Sequence, residues 1–114
     1  MTSLAAVVTL KADVPWGYSL GTERQEQQGN FCNSLDATLQ IAEVFETQGP
    51  RPGYAALDSS PECELKVLTF TPRGIVSTVV LGKGEETEYT VHFVEIINDE
   101  EDTYYMVTTR KVTP

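Results

Sequence analysis

The stretch ECELKVLTFTPRGIVSTVVLGKGEETEYTVHFVEIINDEEDTYYMVTTRKV, residues 62–112, is the one whose reading decides the fold. It divides into runs rich in Val, Ile, Thr, Tyr and Phe at Glu62–Thr71, Ile75–Leu81, Glu88–Ile97 and Thr103–Val112. Residues of these types fit a pleated surface, so each run reads as a strand. The connections Pro72-Arg73-Gly74, Gly82–Thr87 and Asn98–Asp102 are short and rich in turn residues. Consecutive strands joined so tightly must be antiparallel neighbours, and the expectation is a four-stranded antiparallel β-meander. In the third run Tyr89, Val91 and Phe93 alternate with Glu88, Thr90 and His92, the pattern of a half-buried strand. In the second run both faces are apolar, which asks for cover on both sides.

Upstream of the meander the signals conflict. In residues 34–47, Leu35, Ala37, Leu39, Ile41 and Phe45 fall on alternate positions, as in a strand. The same residues are mostly helix formers, Asn33 or Ser34 supplies an N-cap, Asp36 sits in the first turn, and Gln48-Gly49-Pro50 is a helix stop. The reading adopted is a helix, with residues 35–46 as a strand of an all-β barrel or sandwich as the alternative. Residues 4–12 read as an N-terminal strand stopped by Pro15 and Gly17. Pro15 to Asn30, with no apolar period, reads as a long exposed loop, and so does the Pro- and Gly-punctuated Gly49–Gly53. The expected architecture is α+β: an N-terminal strand, one helix and the meander, in a single globular domain spanning residues 1–114.

Composition narrows the function classes. At 114 residues, with 40% hydrophobic and 22% charged side chains, the chain has the size and the apolar content to fold on its own. Its 17 acidic against 8 basic residues give a net charge of −9, spread over both halves, so no half presents the basic patch that phosphate neutralisation demands. Nucleic acid and anionic membrane surfaces are therefore disfavoured, whereas a basic protein partner suits the charge. The N-terminal apolar run is short, lacks a preceding positive charge and is broken by Lys11 and Asp13, so it reads as a strand and not as a leader. A soluble cytoplasmic protein is expected, with a secreted one as the alternative if a leader has been removed. On the same ground the two cysteines, Cys32 and Cys63, are read as free thiols, with a single bridge as the alternative.

No motif carries a reaction. His92 is the only histidine, in mid-strand, and no nucleophile elbow, zinc-protease helix or phosphate loop is present; Gly82-Lys83-Gly84 lacks the upstream Gly and the following Ser or Thr. The acidic hairpin Asn98–Asp102 has alternating oxygen ligands, but an EF-hand would need Gly and Glu where Thr103 and Thr109 stand. No cofactor and no metal are expected. The candidate protein-binding residues are Trp16 and Tyr18, an aromatic pair beside Pro15 and Gly17, and Arg51 and Arg73, each among Pro and Gly. The function expected is that of a non-enzymatic protein-binding or assembly module of the inhibitor, immunity, effector or structural-subunit kind. It would act through the loops at 15–31 and 48–61 or through an exposed strand edge, with Thr103–Val112 as an edge available for self-association. The alternative is a small ligand-binding or enzymatic roll with a pocket between helix and sheet, lined by Tyr89, Phe93, Tyr105 and Met106.

Overall fold

A computed structural model describes residues 16–114. The N-terminal strand expected at residues 4–12 lies outside the described residues. The elements are β1 (Gly17–Ser19), β2 (Arg24–Cys32), α1 (Leu35–Gln48), α2 (Pro50–Ser59), β3 (Cys63–Leu81), β4 (Tyr89–Asn98), β5 (Thr103–Thr108) and β6 (Lys111–Thr113). The class is α+β. Strands β3, β4 and β5 form the meander, and β2 closes them into a barrel in the order β2-β3-β4-β5. The sheet thus closes as in the all-β alternative, but residues 35–46 are helical.

The conflict over α1 is resolved by which positions are buried. Ala37, Thr38, Ile41, Ala42 and Phe45 face the core at helical spacing, while Leu35 and Leu39, two of the residues that suggested alternation, are exposed. Ser34 caps the start, its hydroxyl accepting from the Ala37 N–H at 3.1 Å. Gly49 ends the helix at φ 93°, a conformation that costs any side-chain-bearing residue, and its N–H donates to the Phe45 carbonyl.

The expected loop after Gly49 is instead a second helix, α2. Pro50 and Pro52 lie in its first turn, where the backbone N–H groups have no intrahelical acceptor, so neither proline breaks anything. Gly53 lets the two helices touch: a Cβ there would overlap the Phe45 ring, and Tyr54 packs edge-on against the same ring with centroids 4.8 Å apart.

The expected loop at 15–30 contains two strands. β2 pairs antiparallel with β3 from Arg24↔Phe70 to Cys32↔Cys63, with a shift between Arg24 and Gln27 where Glu26 has positive φ. β1 pairs in parallel with β6, Tyr18 beside Val112. The two runs read as separate strands at 62–71 and 75–81 are one strand. Pro72-Arg73-Gly74 is a bulge and not a turn: Pro72 pairs with Ile96 and Gly74 with Glu95, leaving Arg73 as the extra residue. A second shift between Ile75 and Ser77 makes Val76 extra in the same way.

Neighbouring residues in a strand point to opposite faces, and here the neighbours Phe31/Cys32, Phe93/Val94 and Met106/Val107 belong to different clusters. One cluster joins Cys32, Val79, Val91, Phe93 and Val107 to Ile41, Phe45 and Leu57 of the helices. The other, on the opposite face, joins Phe31, Phe70, Val94, Ile96 and Met106 to Tyr18 and Val112. β5 is paired on both sides, by β4 and by β2, so Thr103–Val112 is not the free edge expected for self-association. The β4–β5 hairpin is built by Asn98, whose Oδ1 accepts from the N–H groups of Glu100 and Asp102 at 3.0 and 2.8 Å.

The cysteines are not free. Cys32 and Cys63 are register partners on adjacent strands, with Cα atoms 3.9 Å apart, and form a disulfide. The expectation of free thiols follows from an assumed reducing compartment, and pairing of residues 31 apart in sequence is invisible to that argument. The bridge closes the segment that carries both helices. By loop entropy it is worth about 3 to 4 kcal/mol, so Cys63→Ala, or reduction of the native chain, is expected to lower the unfolding free energy extracted from a urea titration by that amount. Gly53→Ala adds a good helix former yet drives a methyl into the Phe45 ring; the expected net loss is about 1–3 kcal/mol in the same urea titration.

Candidate functional site

The barrel closes along a short seam. β2 runs from Arg24 to Cys32, but only Asn30, Phe31 and Cys32 pair with β5, opposite Val107, Met106 and Tyr105. Continued in this register, Gln28 would face Thr109. The chain leaves β5 instead at Thr109 and Arg110, where the Arg110 N–H donates to Thr108 Oγ1 at 3.0 Å, and Lys111–Thr113 joins β1. The outer edge of β2 before Asn30 therefore has no ladder partner among the described residues.

A cleft of about 220 Å³ opens where the strands diverge. Leu57, Val91, Met106 and Val107, all buried, make its apolar floor. Gln28, Gly29 and Asn30 form one wall, Thr108, Thr109 and Arg110 the other, and Tyr18 and Tyr54 complete the lining. Amides, hydroxyls and a guanidinium offer both donors and acceptors, and none of the lining residues is acidic, in a chain of net charge −9. The tyrosines are held firmly. Tyr18 lies against the Phe70 ring at 5.6 Å, with the guanidinium carbons of Arg24 and Arg110 at 5.0 and 5.7 Å from its ring centroid. Arg24 is itself fixed by donating to the Gly17 carbonyl and, at 3.3 Å, to Gln27 Oε1. Burial raises the Tyr54 hydroxyl above its ordinary pKa, and the neighbouring Tyr89, hydrogen-bonded to it, adds to the rise.

Of the four candidate protein-binding residues, only Tyr18 lines the cleft. Trp16, just before β1, is 78% exposed. Arg51 is exposed in the first turn of α2, and Arg73 is the exposed extra residue of the bulge. Of the alternative set, Met106 lines the cleft, Phe93 is sealed in the helix-side core, Tyr105 packs against that core, and Tyr89 touches Tyr54 from outside the lining. Gln28, Asn30, Thr108 and Thr109 were missed: polar residues in a polar run give no signal until strand pairing places them.

His92 lies on the far face of β4 from the helices, opposite Thr78 and Thr108, with Thr78 Oγ1 3.3 Å from its Nδ1. No three of the described His, Cys, Asp and Glu residues are grouped as metal ligands would be. No described helix is long and apolar enough to cross a membrane. Comparison with protein-family models, curated proteins and solved structures found no match to the chain.

Partial burial lowers the His92 pKa below its ordinary 6.5. Between that value and the lowered one the unfolded chain binds more protons than the folded one, so the histidine contributes a loss of stability as the pH falls through this window and nothing above it. His92→Gln is expected to flatten the stability–pH curve below pH 6.5 and leave its shape above unchanged, as read by urea unfolding at each pH.

Proposed function

We propose that this chain is a non-enzymatic protein-binding module that takes an extended segment of a partner along the free edge of β2, at the open seam. The observation that carries this reading is the divergence of β2 and β5 beyond the Asn30↔Val107 pair, which leaves the edge of β2 before Asn30 without a ladder partner among the described residues, directly beside a lined cleft. Strand addition draws affinity from main-chain hydrogen bonds and specificity from adjoining pockets, and this seam supplies an edge and a pocket together. At about 220 Å³ the cleft is smaller than the 300–1,000 Å³ usual for small-molecule sites, yet it fits one or two side chains of a bound peptide.

The disulfide supports an oxidising setting over the cytoplasmic one expected from the sequence, since such bridges persist outside the reducing cytosol. The net charge of −9 weighs against nucleic acid and anionic membranes as the partner.

A photo-reactive benzoylphenylalanine at exposed Gln28 is expected to give a discrete cross-linked species in extract of the native host. The same label at exposed Lys83, in the β3–β4 connection, is expected to give none. Equal cross-linking from both positions, or none from Gln28, would overturn the reading.

A further inference from the structure

A second opening lies away from the seam, between α1 and the C-terminal half of β3. From Arg73 onward β3 is laddered to β4 on one side only, and among the described residues no strand pairs with its other edge. Ser77 and Val79 of β3 and Leu39 and Ala42 of α1 line a groove of about 280 Å³ along that edge, and Glu43 and Glu46 form its rim. Leu39 is 40% exposed and Leu35, one turn earlier on the same helix face, 41%.

The two glutamates are hard to explain by the needs of the fold. They occupy the C-terminal half of α1, where the helix dipole disfavours acids, and the last turn holds no base to offset them. Both are exposed, and among the described residues neither meets a cation. An apolar floor, an acidic rim and an unpaired strand edge are complementary to an extended segment that alternates apolar and basic side chains. Its backbone would continue the ladder, its apolar residues would cover Leu39, Ala42 and Val79, and its bases would meet Glu43 and Glu46.

We propose that the groove between α1 and the free edge of β3 is a docking site for a cationic, apolar extended segment of a partner protein, separate from the seam at β2. The test is titration of the isotopically labelled native chain with a synthetic peptide of about ten residues alternating Lys and Val, the length of a long strand. Amide shifts are expected at Leu39, Ala42, Ser77 and Val79. The paired substitution Glu43→Lys with Glu46→Lys is expected to weaken binding about tenfold, whereas Glu100→Lys with Glu101→Lys, which changes the net charge equally, should weaken it less than about threefold. Equal losses in the two variants, shifts centred on the 98–102 hairpin, or no binding would overturn the proposal. Concentration-dependent shifts of the groove residues without peptide would assign the groove to a second copy of the chain and overturn it as well.

Discussion

The structure depends on a single strand serving two partners. Residues 63–70 of β3 pair with β2 and residues 70–81 pair with β4, so the strand must pass from one neighbour to the other within the barrel without ending. Two bulges accomplish this, and their number matters. Each inserts one residue and exchanges the faces of everything after it. Phe70 and Pro72 share the face of Val94 and Ile96; beyond the extra Arg73 the frame is shifted, and beyond the extra Val76 it is restored, so that Ser77, Val79 and Leu81 face the helices opposite Phe93, Val91 and Tyr89. With one bulge alone, Val79 and Leu81 would point away from the helical layer. Proline serves at the first bulge because it cannot donate to a ladder, and Pro72 is fully buried there.

A sheet bent in this way has two apolar faces and needs two covers. The helices cover one, with Phe45 seated between Phe93 at 5.9 Å and Tyr54 at 4.8 Å. Full burial of such side chains contributes about 1.5–3 kcal/mol each, so contacts of this kind hold α1 and α2 more strongly than helix propensity does in a segment containing Pro50, Pro52 and Gly53. The disulfide acts at the root of the same layer, since Cys32 immediately precedes the helical segment and Cys63 follows it. The other cover is small: Tyr18 and Val112, brought together by the short parallel pair β1 and β6.

The parts of this fold legible in the sequence are those whose side chains record burial. Val91 and Phe93 alternate because one face of β4 is packed there, and the β-branched runs after residue 62 could be little else but strand. What failed to show was set by tertiary pairing. Arg24–Asn30 is almost wholly polar, and it is a strand because β3 satisfies its backbone, not because its side chains seek a core. Pro50-Arg-Pro-Gly carries every mark of a loop, yet prolines cost nothing in the one turn of a helix that has no N–H bonds to lose. The candidate site was less legible still, for the same reason: its walls are the polar ends of strands, and its position follows from where a register stops.

That stopping point is itself a consequence of the second core. Residues 109–113 have two possible uses. They could continue β5 along β2, pairing Thr109 with Gln28 and lengthening the seam by further ladder bonds, each worth about 0.5–1.5 kcal/mol net. Or they could cross to β1, bury Val112 beside Tyr18 and close the face that Phe31, Phe70 and Met106 leave open. The second use also makes hydrogen bonds, through the parallel pairing with β1 and the Leu20 N–H to the Thr113 carbonyl at 2.8 Å. It adds the apolar burial of Val112, which a fully hydrated β2 edge of Gln and Glu residues could not match. The seam is therefore left open where closing it would uncover a core, and the edge beside the cleft, free among the described residues, follows from how the chain finishes its packing.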